Sequence, residues 1–402
     1  MHLFKRAIAQ FEKFIGGVKP RSSAADENFR SERSERALKP LIMNLQNLDT
    51  PALIIDQDMV ARNIKLAIKL AGGVARLRPH VKTHKILEVA KMQVAAGITK
   101  FKCATIAEAE MLGMAGAIDV LIAYAVQGPK VDRVISLMEK YPDTVYSVLI
   151  DNMASAKHIN ERFKQAGKMA SVFVDVNNGH GRTGIKTEEV PALARACKEL
   201  ESLNINGLHC YDGHIKMPSL EKRMSAGQAA FKPVLELREQ LIEIVGEDLL
   251  IVAGGSPSFS VHAKHHDVEC SPGTWIFWDH GYGEAYPEQA FERAATLATR
   301  VISKVDAHHY CLDLGHKSVA SESPLPRAHF HSGHGFEQVG HSEEHLMIRT
   351  EAPDVFEPGD VLLATPNHVC PTVALYDHVE VVSNGALTGR WKVIARDRKI
   401  TL

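Results

Sequence analysis

The sequence holds no C-x-x-C pair, no G-x-G-x-x-G turn behind its first strand, almost no net charge, and no apolar run near the roughly 20 residues that cross a membrane. Each absence removes a class. The six cysteines (Cys103, Cys197, Cys210, Cys270, Cys311, Cys370) are scattered through 402 residues, which reads as the reduced thiols of a cytoplasmic protein rather than a disulfide framework. With 47 Lys+Arg against 48 Asp+Glu the formal charge is −1, so electrostatics argues for neither nucleic acid nor an anionic membrane surface. Without an early glycine turn, a doubly wound nucleotide-binding sheet loses its chief mark. The opening stretch MHLFKRAIAQFEKFIGGVKP spaces Leu3, Phe4, Ile8, Phe11 and Ile15 at helical intervals, yet charges interrupt it, so it lacks the core of a secretory signal. Residues 1–48 therefore read as an amphipathic helix and flexible linker that carry no site.

What is present is a rhythm. From Arg76 onward short apolar runs (RLRPHVK, TKFKCAT, VLIAYA, YSVLID, ASVFVDV, NINGLHCYDG, LLIVAGG, DVECSPGTW) alternate with helix-period segments such as IAEAEMLGMAGA. Eight such units predict a (β/α)8 barrel over residues 49–290. Beyond about residue 291 the texture turns β-branched and alternating, which predicts a C-terminal β-domain over 291–402; the strand at 51–56 precedes the first βα unit and is expected to join it.

Strand C-termini of a barrel gather on one face, where sites are built. That rule collects Lys82, then His180 and Arg182, then Tyr211, Asp212 and His214, then Gly254, Gly255 and Ser256. The Gly-Gly-Ser turn lets backbone N–H groups approach a phosphate, with the serine hydroxyl adding a bond. Taken singly, each is ordinary: most lysines are solvated, and Gly-Ser-Pro turns are common. On one rim, an amine, a phosphate cradle, an arginine and a tyrosine suit a phosphorylated aldehyde cofactor held as a Schiff base. In the second domain PNHVCPT sets His368 and Cys370 two apart on what reads as a strand end, an imidazole and a thiol facing one way. A lone H-x-C is nonspecific. The His-rich stretch with His329, His331, His334, His341 and His345 is irregular and polar and reads as a loop, while Asp313 and Lys317 fit either a site or a structural staple.

These stretches, with TPALIID, KFKCATIAEAEML, GRTGI, GLHCYDGH, GGSP and SEEH, resemble the D-threonine aldolase and D-serine dehydratase group of pyridoxal-phosphate enzymes, built like alanine racemase (fold type III). The resemblance runs over residues 49–385 and is strongest toward the aldolase branch, with RPHVKTHK followed by KFKCATIAEAEML the most specific part. It implies that Lys82 carries the cofactor, that Arg182 meets the phenolic oxygen, and that Tyr211 lies near the pyridine nitrogen. Gly254, Gly255 and Ser256 would hold the phosphate and His214 would handle protons near the substrate. It also implies a catalytic divalent metal on His368 and Cys370, with zinc favoured by the thiolate over manganese or magnesium, and a homodimer.

The implied substrate is a small D-β-hydroxy-amino acid, and the implied reaction is retro-aldol cleavage of D-threonine-like molecules to glycine and an aldehyde. The alternative is β-elimination to a keto acid and ammonia, as in D-serine or D-3-hydroxyaspartate dehydratases, and the thiolate ligand points that way. A racemase needs bases on both faces of the cofactor and no metal, which the H-x-C pair opposes. A non-catalytic cofactor carrier would lack the appended β-domain.

Overall fold

A computed structural model describes residues 45–331 and 335–402; the expected N-terminal helix and most of the linker, with His334, lie outside the described residues. The chain divides into two compact units. One takes the residues up to Arg62, Phe277–Gly283 and Glu292–Val393, and the other takes Asn63–Ile276, Glu284–Phe291 and Ile394–Leu402.

The first unit is a nine-stranded sheet. Its first strand β1 (Ala52–Asp56) comes from before the barrel and lies between two strands from much later in the chain, antiparallel to one (295–304) and parallel to the other (378–383). The run ALIID is apolar and β-branched, as a strand in the middle of a sheet requires.

The second unit is the barrel. Helix α1 (Gln57–Ala71) precedes it. Parallel strands β2 (Lys100–Cys103), β3 (Asp119–Ile122), β4 (Val145–Ile150), β5 (Ala170–Asn177), the short β6 (Ile185–Lys186), β7 (Leu203–Cys210), β8 (Leu250–Ala253) and β9 (Val268–Cys270) follow. They pair in the order β2-β3-β4-β5-β7-β8-β9, with β6 on β5. Helices alternate with them: α2 (Leu87–Ala95), α3 (Ile106–Met114), α4 (Pro129–Lys140), α5 (Met153–Gln165), α6 (Val190–Cys197), α7 (Leu220–Val245) and α8 (Phe259–His262). Local chemistry marks their ends. The Thr105 hydroxyl accepts from Glu108 N–H at 3.1 Å, Asn152 Oδ1 accepts from Ser155 N–H at 2.8 Å, and α7 stops at left-handed Gly246.

RLRPHVK was expected to be a regular first strand and is not one. Leu77 and His80 make isolated bridges to Cys270 and Lys102, and Val81–Thr83 is a single 3-10 turn. Proline is the reason: Pro79 has no N–H to give, although its carbonyl accepts from Lys102 N–H at 2.9 Å. Arg78 and His80 donate to Cys270 and Pro272 carbonyls on the other side, so the segment still closes the ring between β9 and β2.

The barrel interior is layered. Leu121, Leu149, Phe173 and Val252 form an apolar cluster. At the strand N-termini sits a charged one. Arg78, with none of its side chain exposed, forks onto both Asp119 oxygens at 2.7 and 2.6 Å and meets Glu269 at 2.6 Å, while Lys100 also binds Glu269. Removing one member of such a buried set leaves an uncompensated charge. Arg78→Ala is expected to cost about 3–5 kcal/mol, read as a lowered midpoint in denaturant unfolding with the far-ultraviolet spectrum retained below it.

Among the described residues no helix is long and apolar enough to cross a membrane. All six cysteines are free, and all but Cys370 are buried.

Candidate functional site

Every polar residue of RPHVKTHK except one has a structural partner. Arg78 anchors the charged layer, and His80 Nδ1 accepts from Lys82 N–H at 3.2 Å and so caps the 3-10 turn. Buried His84 folds its Nδ1 onto the Ile86 backbone at 3.1 Å. Lys85 pairs with fully buried Glu108, whose other oxygen accepts from Ala104 N–H at 2.6 Å. The two most specific motifs are thus bolted together, since Glu108 belongs to ATIAEAEML. The Lys82 ammonium is the exception: among the described residues it makes no ion pair, and its Nζ lies 5.7 Å from the centre of the Tyr211 ring.

Tyr211 follows β7 and is the hub of the rim. Arg182 Cζ is 4.9 Å from its ring centre and Lys102 Nζ 5.8 Å, and the His180 ring meets it edge-on at 5.2 Å. His214 is exposed and stacks loosely on His180 at 6.0 Å. Burial and the Arg182 charge hold His180 below the ordinary imidazole range. Three cationic side chains thus surround one aromatic ring, a field suited to an anionic ligand.

The Gly254–Ser256 turn is pinned beside that ring. At Gly255 a Cβ would come within 2.9 Å of Tyr211, and Gly254, at φ +78°, would drive one within 2.5 Å of His262. Asp212 locks the turn from β7: Ser258 donates to Oδ1 at 2.6 Å and His262 Nε2 lies 2.7 Å from Oδ2. These bonds outweigh burial and keep the Asp212 carboxyl below its usual range. The turn runs into α8, a helix of only four residues, so backbone amides rather than a helix dipole supply the positive ends. Two of them converge on one oxygen: Gly273 N–H at 3.2 Å and Thr274 N–H at 2.9 Å both donate to Ser256 Oγ. With its oxygen held by two amides the Ser256 hydroxyl keeps its own proton to donate, and beside glycines that leave no Cβ in the way that donor fits a phosphate.

His368 and Cys370 sit in the other unit, and not on a strand end. His368 precedes the short helix Val369–Leu375, and Cys370 lies in its first turn. Buried Asp279 accepts from Val369 N–H at 3.0 Å, and Pro371 fits a first turn, where no intrahelical donor is required. His368 Nδ1 bonds Glu322, and although burial works against its charge, hydrogen bonds to Cys370 and Glu322 hold it up at about 9. Among the described residues no three His, Cys, Asp or Glu side chains gather closely enough to hold a metal. The pair thus offers two ligands, whose imidazole and thiol chemistry fits a divalent cation with open positions.

The His-rich stretch is not simply a loop. His329 lies in strand 328–330 and His341 in strand 336–341. Asp313 is a staple, accepting from Thr50, Thr299 and the Arg300 N–H at 2.6, 2.6 and 2.8 Å, and exposed Lys317 pairs with Glu343 and Glu344. Sequence reasoning missed Lys102, Gly273 and Thr274. The alternation Lys100-x-Lys102 placed both lysines on one face of β2, a signal hidden by the usual solvation of lysine.

The family described as alanine racemase, N-terminal domain, matches residues 55–280. This chain belongs to that family. A putative serine dehydratase domain matches residues 294–382. The chain is 30% identical to a D-threonine aldolase of an Arthrobacter species, over 88% of this chain and 94% of that one. It is 28% identical to a 3-hydroxy-D-aspartate aldolase of Paracoccus denitrificans, over 89% and 94%. Among solved structures it is similar to the D-threonine aldolase of Filomicrobium marinum, with a TM-score of 0.78 and 27% identity over 87% of this chain and 96% of that one.

Proposed function

We propose that this family member is a pyridoxal-phosphate- and divalent-metal-dependent lyase that cleaves D-threonine-like D-β-hydroxy-amino acids to glycine and an aldehyde. The observation that carries the reading is the cationic ring of Lys82, Lys102 and Arg182 around Tyr211. The aldolase relatives matched over most of their length support the choice of reaction.

In this reading Lys82 is the amine that bonds the cofactor's aldehyde carbon, because its neighbours in RPHVKTHK are already committed to partners. Gly254, Gly255 and Ser256 would hold the phosphate, with the Ser256 hydroxyl oriented by the Gly273 and Thr274 N–H groups that donate to its oxygen. Arg182 offers its guanidinium to the phenolic oxygen, and Tyr211 supplies an aromatic wall. Bound pyridoxal phosphate supplies an electron sink at the substrate's α-carbon, and a divalent cation on His368 and Cys370 supplies Lewis acidity. The chain's own task is then the choice of proton. Removing the β-hydroxyl proton, for which exposed His214 is the candidate acceptor, leads to Cα–Cβ cleavage. Removing the α-proton, for which the Lys82 amine is the candidate acceptor, would lead to loss of hydroxide instead.

That second outcome, dehydration to a keto acid and ammonia, is the alternative reading, favoured by the putative serine dehydratase domain over 294–382 and by the thiol of Cys370. A cytoplasmic homodimer completes the proposal. Product analysis tests it. Protein loaded with pyridoxal phosphate and either zinc or manganese is given D-threonine, D-allothreonine or D-serine. Glycine with acetaldehyde from the threonine epimers is the expected result; pyruvate or 2-oxobutyrate with ammonia replaces the aldolase by the dehydratase, and neither pair overturns both.

A further inference from the structure

One buried member of that cationic ring has no step of the reaction assigned to it. Lys102 rises from β2 into the barrel with 2% of its surface exposed. Its Nζ is 3.5 Å from His209 Nε2 on β7, and His209 Nδ1 is 2.7 Å from Asp175 Oδ1 on β5. Asp175 and His209 are register partners in adjacent strands, buried to 6% and 4% exposure. The Asp175 carboxyl is held below its usual range: bonding to His209 outweighs the burial that would raise it. An ionised carboxylate takes the Nδ1–H, which leaves Nε2 as the acceptor facing Lys102.

A barrel interior is ordinarily filled with branched apolar side chains. Here a lysine, a histidine and an aspartate share one layer, and the lysine ends as near the Tyr211 ring as Lys82 does, 5.8 against 5.7 Å.

We propose that Lys102 is a second amine of the cofactor pocket, a positioning residue whose charge, governed by His209 and Asp175, sets how readily the Lys82–cofactor linkage holds its proton. The inference rests on the cofactor reading above. Burial first, and the Lys82 charge second, push Lys102 down to about 7. The other groups facing it are His80 from the 77–84 segment, and Cys210 and Asp212 from the β7 end. A charged Lys102 opposes a second positive charge on the linkage; a neutral one permits it.

The test is a pH titration of the visible band of the pyridoxal-phosphate-loaded protein, with borohydride trapping and peptide mass spectrometry to locate the cofactor. Lys102→Met and Lys102→Gln remove the charge and are expected to raise the midpoint of the band by about one pH unit. Lys102→Arg cannot lose its charge in this range and is expected to lower it. Glutamine retains a hydrogen bond to His209 and stands in if the methionine variant does not fold. A merely structural lysine gives no such opposite shifts. Cofactor trapped on Lys82 with the midpoint unmoved in all three variants overturns the role of Lys102 alone. A parent protein with neither a visible band nor a reducible adduct overturns the cofactor reading itself.

Discussion

Lys82→Ala is expected to abolish the visible band of pyridoxal-phosphate-loaded protein and to lower turnover by on the order of 10³-fold or more. The size of the effect follows from the role. Losing the only covalent attachment removes chemistry, whereas losing one contact among many removes a fraction of binding. The variant should fold, because Lys82 carries no ion pair among the described residues and its backbone N–H, which serves the turn, survives the substitution. Peptide mapping after borohydride reduction reads the outcome directly. Modification of the Lys82 peptide in the parent protein, lost in the variant, supports the assignment. A band that persists in Lys82→Ala, with the adduct now on the Lys102 peptide, would mean that the two amines near the Tyr211 ring had been given each other's roles.

The two lysines also show where sequence reading reaches its limit. Lys82 stands in a motif whose other polar residues all prove to be structural, and the pattern of the motif made it conspicuous. Lys102 sits in an apolar run that reads as an ordinary strand, and nothing in KFKC distinguishes an inward lysine from a solvated one without the register of β2 against its neighbours. Periodicity alone brought the barrel and the β-domain into view. It overstated the first strand, because Pro79 removes a donor without disturbing the hydrophobic pattern. The Gly-Gly-Ser turn was half legible: Gly254 to Ser256 form one continuous stretch, but Gly273 and Thr274 reach Ser256 from 17 and 18 residues further on. PNHVCPT reads as a strand end only until Asp279, 90 residues before Val369, is seen to take the Val369 N–H at the start of a helix.

His368→Ala and Cys370→Ala carry the second large effect, and it should fall on turnover while sparing the cofactor. Both side chains belong to the unit that does not contain Lys82, so the visible band is expected to remain while metal-dependent turnover falls by about 10²- to 10⁴-fold. Chelator treatment of the parent protein should produce the same loss, restored by zinc, and should do nothing further to either variant. That non-additivity distinguishes a lost ligand from a damaged fold. Cys370→Asp sharpens the point. A carboxylate keeps two donors in the pair but exchanges a soft ligand for a hard one, so activity should persist with its preference moved from zinc toward manganese. If both alanine variants retain full activity and the chelator has no effect, the imidazole and thiol return to a structural role at the start of the Val369–Leu375 helix, held there by Glu322 and Asp279. If Cys370→Asp instead changes the product ratio between aldehyde and keto acid, the identity of this one ligand decides which bond of the substrate is broken.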